Sequence, residues 1–176
     1  MSRPGPQSGE RVPDLGLKLG GKTEVSVAGT KIPTRYVDIT TFSSNPAVAP
    51  GDRFSVVLDI QPHPNMHVYA PGAKGYRVIS LSIEPNPLVR VLVLEYPVSE
   101  TYFFKILNEH VPVFQKPFRL LQRLIIEDTL EARAILSGKE SVTVKGTLEY
   151  QTCDDNMCFL PVSVPLAWTM TLRRPF

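Results

Sequence analysis

The stretch of sequence that decides the fold lies near the carboxyl end of the chain. It reads SVTVKGTLEY (141–150), QTCDDNMCFLP (151–161) and VSVPLAWTMTL (162–172). In the first and last parts apolar and polar side chains alternate, which is the pattern of a strand with one buried face. The Asp and Asn residues between them are typical of turns. We therefore predict two antiparallel strands joined by a short connection.

The same alternation recurs towards the amino end, most clearly in Thr34–Phe42, Arg53–Ile60 and Val78–Ile83. Val, Ile and Thr account for 40 of the 176 residues and Ala for only 8. The 17 prolines are scattered along the chain, which disfavours long helices. With turn signals about 8–12 residues apart, the pattern predicts an all-β domain. We expect a β-sandwich of seven to nine strands in two antiparallel sheets.

Several segments are less regular. Phe118–Ile126 and Leu130–Leu136 fit either a strand or a helix, and Pro97–His110 has poor periodicity and is interpreted as a loop. Residues 1–21 are rich in Gly and Pro and are predicted to be a flexible tail or linker, which leaves 22–176 as a single domain. A proline at position 165 predicts an edge position within the last strand, because proline has no N–H to donate.

Composition excludes several classes of function. A formal net charge of +2 gives no strong field for nucleic acid or for an anionic membrane surface. No apolar run approaches the roughly 20 residues of a membrane span. The start, MSRPGP, has no apolar core, so we expect no signal peptide in this chain. An intracellular protein and a segment of an exported one both remain possible.

The chain has two cysteines, Cys153 and Cys158, at the turn between the two deciding strands. Opposed residues at a hairpin end have Cβ atoms about 4.5–5.5 Å apart, so a disulfide is feasible with slight adjustment. It would contribute only about 2 kcal/mol through so short a loop. A structural disulfide, two buried thiols, a redox pair and a metal site all stay open. A zinc site would add His63, His67 or His110, and a copper site would use His63, Met66 and His67.

The residues around these cysteines resemble the N-terminal periplasmic domain of the thiol:disulfide interchange protein DsbD family. That family has a Tyr-Gln-x-Cys strand end, an acidic turn, a second Cys, a nearby Pro and a final strand ending in Val-Pro-Leu. The matching residues are Tyr150, Gln151, Cys153, Asp154, Cys158, Pro161 and Val164-Pro165-Leu166. Weaker likeness extends to His67–Tyr69, Tyr96–Phe104 and Val113–Gln115.

The resemblance implies an immunoglobulin-like sandwich whose activity is thiol–disulfide exchange. Electrons would pass from a thioredoxin-like donor to oxidised periplasmic proteins through a reversible disulfide between Cys153 and Cys158, with Cys158 as the attacking thiol. It implies a protein-disulfide reductase module in a periplasmic or other extracytoplasmic location. We expect no cofactor, no bound metal, no nucleic-acid partner and a monomer.

An aromatic cap over the disulfide is also implied by the resemblance. Phe103 or Phe104 is the first candidate for this lid and Tyr102 the next. The site environment is predicted to include Asp154, Asp155, Tyr69, Tyr150 and Pro161, with the two aspartates disfavouring a thiolate. Two other functions stay open. They are a non-catalytic immunoglobulin-like interaction module with a structural disulfide, and a Cys/His metal-binding sandwich.

Overall fold

A computed structural model of the chain describes residues 29–174. Within them it has thirteen strands and one short helix. The elements are β1 (Thr30–Pro33), β2 (Val37–Ser43), β3 (Ala47–Val48), β4 (Arg53–Pro62), β5 (His67–Tyr69), β6 (Ser80–Ile83), β7 (Val89–Glu95), β8 (Glu100–Phe104), β9 (Glu109–Phe114), β10 (Phe118–Ile126), α1 (Leu130–Leu136), β11 (Ser141–Tyr150), β12 (Thr152–Cys153) and β13 (Val162–Leu172).

The strands form three sheets. The first has the order β1-β2-β4-β10-β7, the second β3-β13-β11-β6 and the third β12-β5-β9-β8. All pairings are antiparallel except the two-residue contact of β3 with β13. The inner sides of the first two sheets share one apolar core, with Leu58 and Leu120 from one sheet and Leu148 and Trp168 from the other. The third sheet adds Val68 to that core from one of its faces.

The alternation of buried and less buried side chains identifies the strands that have one face in the core. On β10 every second residue from Phe118 to Ile126 is buried, which settles this segment as a strand. Its one buried polar side chain, Gln122, donates a 2.8 Å hydrogen bond to the carbonyl of Leu92, so its amide is satisfied. On β13, Pro165 lies opposite Thr147 of β11, and β3 pairs with β13 only near its far end. The predicted edge position at this proline is therefore confirmed.

The all-β sandwich predicted from the sequence is confirmed, although the structure divides the chain more finely. Residues 29–174 contain thirteen strands in three sheets, where seven to nine strands in two sheets were predicted. The interpretation of Pro97–His110 as a loop is wrong, because β8 and the start of β9 form a hairpin there. That hairpin is exposed along much of both faces, which weakens the apolar periodicity. The proposed tail, 1–21, lies outside the described residues.

Leu130–Leu136 is a single short helix. The hydroxyl of Thr129 accepts a 3.1 Å hydrogen bond from the N–H of Ala132 and so caps its first turn. Only Ala132 and Leu136 of this helix are buried. In the described part of the chain no helix is long and apolar enough to cross a membrane.

A buried hydrogen-bonded chain ties the two main sheets together. Trp168 donates from its indole N–H to the hydroxyl of Thr41 at 2.8 Å, and that hydroxyl donates to the carbonyl of Val57 at 2.7 Å. Both side chains are buried. Buried polar groups of this kind are costly when they lose a partner.

Replacing Thr41 with valine should therefore lower the free energy of unfolding by about 1–3 kcal/mol, because it leaves the indole N–H without an acceptor. Urea unfolding of the two proteins measures the difference. Thr143→Val is the matched control, since the Thr143 hydroxyl pairs with that of Thr169 on an exposed face and its loss should change stability by less than about 0.5 kcal/mol. Equal losses in both variants would contradict the prediction.

Candidate functional site

Cys153 and Cys158 form a disulfide across a tight hairpin end. Their Cα atoms are 4.0 Å apart, and the two residues make an antiparallel bridge. The N–H of Asp154 donates to the carbonyl of Met157, and the carboxylate of Asp154 accepts from the N–H groups of Asn156 and Met157. The turn chemistry of the intervening residues thus brings the cysteines together as predicted. The alternative of two separate buried thiols is wrong.

Strand register decides which side chains share a face with the disulfide. On the third sheet Cys153 lies opposite His67, and Tyr69 lies opposite Val113. Opposed residues of antiparallel strands point to the same side, and so do alternate residues along one strand. Cys153, His67 and Tyr69 therefore share one face, and Tyr102 joins them from β8 opposite Val111.

The two cysteines differ in accessibility. Cys153 is only 1% exposed and belongs to a small apolar cluster with Tyr69, Val111 and Val113. Cys158 is exposed. A partner approaching from solvent therefore meets Cys158 and is kept from Cys153.

The hydroxyl of Tyr69 lies close to both sulfur atoms of the disulfide. It donates to Cys153 Sγ at 2.8 Å and lies 3.5 Å from Cys158 Sγ. Its ring stacks on that of Tyr76 with centroids 4.1 Å apart. Burial, assisted by Tyr76, Tyr102 and Glu109, raises the pKa of Tyr69 above its ordinary value. The phenol therefore keeps its proton and stays a hydrogen-bond donor to sulfur.

Tyr102 connects the β8–β9 hairpin to the disulfide loop. Its hydroxyl donates to Asp155 Oδ1 at 2.6 Å, and this hydrogen bond is the main cause that raises the pKa of Tyr102 to about 12. Its ring lies 4.3 Å from that of His67. The hydrogen bond to Asp155 therefore joins β8 to the loop between Cys153 and Cys158.

Three carboxylates, Asp154, Asp155 and Glu109, lie near the disulfide and its neighbouring tyrosines. Backbone N–H groups lower the pKa of Asp154, which is therefore ionised at neutral pH. Asp155 accepts from Tyr102, and Glu109 accepts a 3.2 Å hydrogen bond from Tyr76. Negative charge on this side of the sheet is expected to disfavour a cysteine thiolate.

The three aromatic candidates for a cap do not share one face. Phe103 lies opposite His110, packs against its ring at 4.7 Å and is 41% exposed. Tyr102 and Phe104 point to the other side, with rings 6.5 Å apart. Shielding by Phe103 or Phe104 stays a prediction, and Tyr102 is the one of the three that touches the disulfide loop.

Two further predicted site residues, Tyr150 and Pro161, lie in different parts of the molecule. Tyr150 is buried in the main core, where its hydroxyl is 2.8 Å from that of Thr34. Pro161 lines an open groove together with Tyr76 and Gln151. Of this pair, only Pro161 lines a surface that also contains Tyr76, the stacking partner of Tyr69.

The residues considered for a metal site do not come together. His63 Nε2 lies 3.1 Å from Asp38 Oδ1 on the surface, and His110 packs on Phe103. Across residues 29–174 no group of three His, Cys, Asp or Glu side chains is arranged to hold a metal ion. His67 alone of the three histidines lies beside the disulfide.

Comparison with known families bears directly on this site. Residues 39–164, which contain both cysteines, match the family model described as thiol:disulfide interchange protein DsbD, N-terminal. The chain belongs to this family. A search of curated proteins finds no match at the significance applied.

Solved structures of two similar domains can be compared with the DsbD-family fold seen here. The N-terminal periplasmic domain of ScsB from Proteus mirabilis aligns with a TM-score of 0.53 and 10% identity, over 82% of this chain and 50% of that chain. This chain thus spans half the length of the ScsB chain, and the likeness shows the fold. The Neisseria meningitidis DsbD N-terminal domain in the reduced form aligns with a TM-score of 0.46 and 12% identity, over 74% of this chain and 88% of that chain.

Three members of this DsbD-family site were not predicted as site residues from the sequence. They are His67, Tyr76 and Glu109. His67 was considered only as a metal ligand, although its spacing of two from Tyr69 places both on one strand face. Tyr76 and Glu109 reach the site through stacking and a long-range hydrogen bond, and no local sequence pattern reports either contact.

Proposed function

We propose that this chain is an extracytoplasmic thiol–disulfide exchange domain that relays electrons from a thioredoxin-like donor to oxidised proteins. The observation that carries the proposal is a disulfide with one exposed and one buried sulfur, in a chain of the DsbD N-terminal family. The periplasmic origin of the ScsB domain supports the location. We further propose one exchange domain over 22–176, acting as a monomer without cofactor.

The first half of the cycle starts with attack by a donor thiolate on the exposed Cys158 sulfur. A new bond forms between the donor sulfur and Cys158, the Cys153–Cys158 bond breaks, and its electron pair leaves on Cys153. The Tyr69 hydroxyl already donates to that leaving sulfur at 2.8 Å. A second donor thiolate then attacks the donor sulfur of the mixed disulfide and releases Cys158, which leaves both cysteines reduced.

The second half runs the same bonds in reverse. The Cys158 thiolate attacks a disulfide of an oxidised protein and forms a mixed disulfide, and the Cys153 thiolate then attacks Cys158 to release the reduced product. Tyr102 and Asp155 form the contact we assign to shielding, because it joins the β8–β9 hairpin to the loop bearing Cys158. Opening of this contact would add to the exposure that Cys158 already has.

A redox titration tests the proposal. The protein is equilibrated in glutathione buffers of graded potential, extended with dithiothreitol buffers at the reducing end, and the reduced fraction is read by alkylation and mass spectrometry. We expect a midpoint within the range of thioredoxin-like proteins, about −120 to −270 mV. A midpoint below about −300 mV would mark a structural bond and favour the non-catalytic interaction module.

A further inference from the structure

His67 is a buried imidazole that the exchange steps above do not use. It lies directly opposite Cys153 across β5 and β12, and it is 2% exposed. Its ring packs edge-on against Tyr69, with centroids 5.5 Å apart, and against Tyr102 at 4.3 Å. Opposed residues of an antiparallel pair have Cβ atoms about 4.5–5.5 Å apart. The imidazole therefore sits beside the sulfur that receives the electron pair.

The titratable groups around His67 come from every element packed against it. Tyr69 is on its own strand, Tyr102 on β8, and Asp154 and Asp155 on the loop after β12. Glu109 of β9 acts on Tyr69 and on its stacking partner Tyr76. While the disulfide is intact, burial lowers the pKa of His67 and outweighs the two aspartates, so the ring is neutral at pH 7.

Reduction changes the charge beside this ring. Two electrons from a dithiol donor break the S–S bond, and each sulfur then carries a thiolate or takes a proton. Cys158 is exposed and exchanges its proton with solvent. Cys153 is buried, and a buried thiolate needs both a hydrogen bond and an opposite charge. Tyr69 supplies the hydrogen bond, and His67 is the neighbouring group able to supply the charge.

We propose that His67 takes up a proton from solvent when the disulfide is reduced, so that the reduced site holds an imidazolium beside a Cys153 thiolate. This rests on the proposed function in treating the disulfide as reversible. His67 acts here as a positioning residue, through the charge it places next to the sulfur. Because the reduced form binds this proton more tightly, acidification shifts the equilibrium towards the reduced form.

Histidine titration by NMR tests the inference on the full chain, using imidazole C–H shifts followed over pH. The comparison is between the oxidised protein, the dithiothreitol-reduced protein and Cys158→Ser, in which Cys153 is a free thiol whether or not the native bond can be reduced. We expect the pKa of His67 to rise by one unit or more, a tenfold gain in proton affinity, in both the reduced protein and Cys158→Ser.

The controls are built into the chain. His63 and His110 lie away from the disulfide and serve as internal references, whose imidazole C–H shifts at a given pH should be the same in all states. Cys153→Ser removes the thiolate, so the His67 pKa should stay within about 0.3 units of its value in the oxidised protein, well under the tenfold step expected above. His67→Gln assigns the resonance. An unchanged His67 pKa in Cys158→Ser would overturn the inference, while failure of the redox titration alone would overturn only the relay.

Discussion

Replacing Cys158 with serine should reduce electron exchange to background, and replacing Cys153 with serine should trap a mixed disulfide. The difference follows from accessibility, because Cys158 is exposed whereas Cys153 is 1% exposed and is packed against Tyr69. A thiolate at Cys158 can attack a partner disulfide, but without Cys153 nothing in the chain releases the product. Cys153 left alone has no path to a partner.

Reaction with dithiodipyridine measures this asymmetry in the two single-cysteine variants. The remaining thiol of Cys153→Ser should react at least tenfold faster than that of Cys158→Ser under native conditions. In denaturant both should react alike, which controls for the intrinsic reactivity of the thiols. Equal native rates would contradict the proposed asymmetry, and a mixed disulfide trapped through Cys153 would show that the assignment of the attacking thiol is reversed.

Removing the hydroxyl of Tyr69 by Tyr69→Phe should slow reduction of the disulfide by about 10- to 100-fold. The hydroxyl donates to Cys153 Sγ, the leaving sulfur, and a hydrogen bond to a charged group is worth about 1.5–3 kcal/mol. The phenyl ring keeps its stack on Tyr76, so the fold should persist. Stopped-flow reduction by dithiothreitol gives the rate.

Tyr76→Phe is the matched control for this prediction. It removes a phenolic hydroxyl and keeps the ring in the same stack, and the hydrogen bond that is lost runs to Glu109 and not to a sulfur atom. The rate at which its disulfide is reduced should stay within about threefold of the wild-type rate, because the hydrogen bond that it loses is exposed to solvent. A loss equal to that of Tyr69→Phe would mean that the stack as a whole, and not the hydrogen bond to sulfur, controls the rate.

The sequence predicted the hairpin that carries the two cysteines because its determinants are local. Alternation from Ser141 to Tyr150 and from Val162 to Leu172 defines β11 and β13, and the polar turn between them closes over a few residues. Each of these signals lies within about ten residues of the next, which is the range over which periodicity and turn chemistry operate.

The composition of the site was harder to predict because it depends on register across four strands. His67 meets Cys153 across a sequence separation of 86 residues, and Tyr102 reaches the disulfide loop from the far strand of the same sheet. A shift of one residue on β8 would replace Tyr102 by Phe103 on this face. The aromatic run at these positions contains both choices, and pairing with β9 selects between them.

The third sheet separates two tasks between its faces. Val68 and Phe114 point into the main core, whereas Cys153, His67 and Tyr69 point to the opposite side. Substitutions on the side of Cys153 therefore change the surroundings of the disulfide, and substitutions on the side of Val68 change the main core. The surroundings of the disulfide and the main core can therefore be varied by separate sets of substitutions in one sheet.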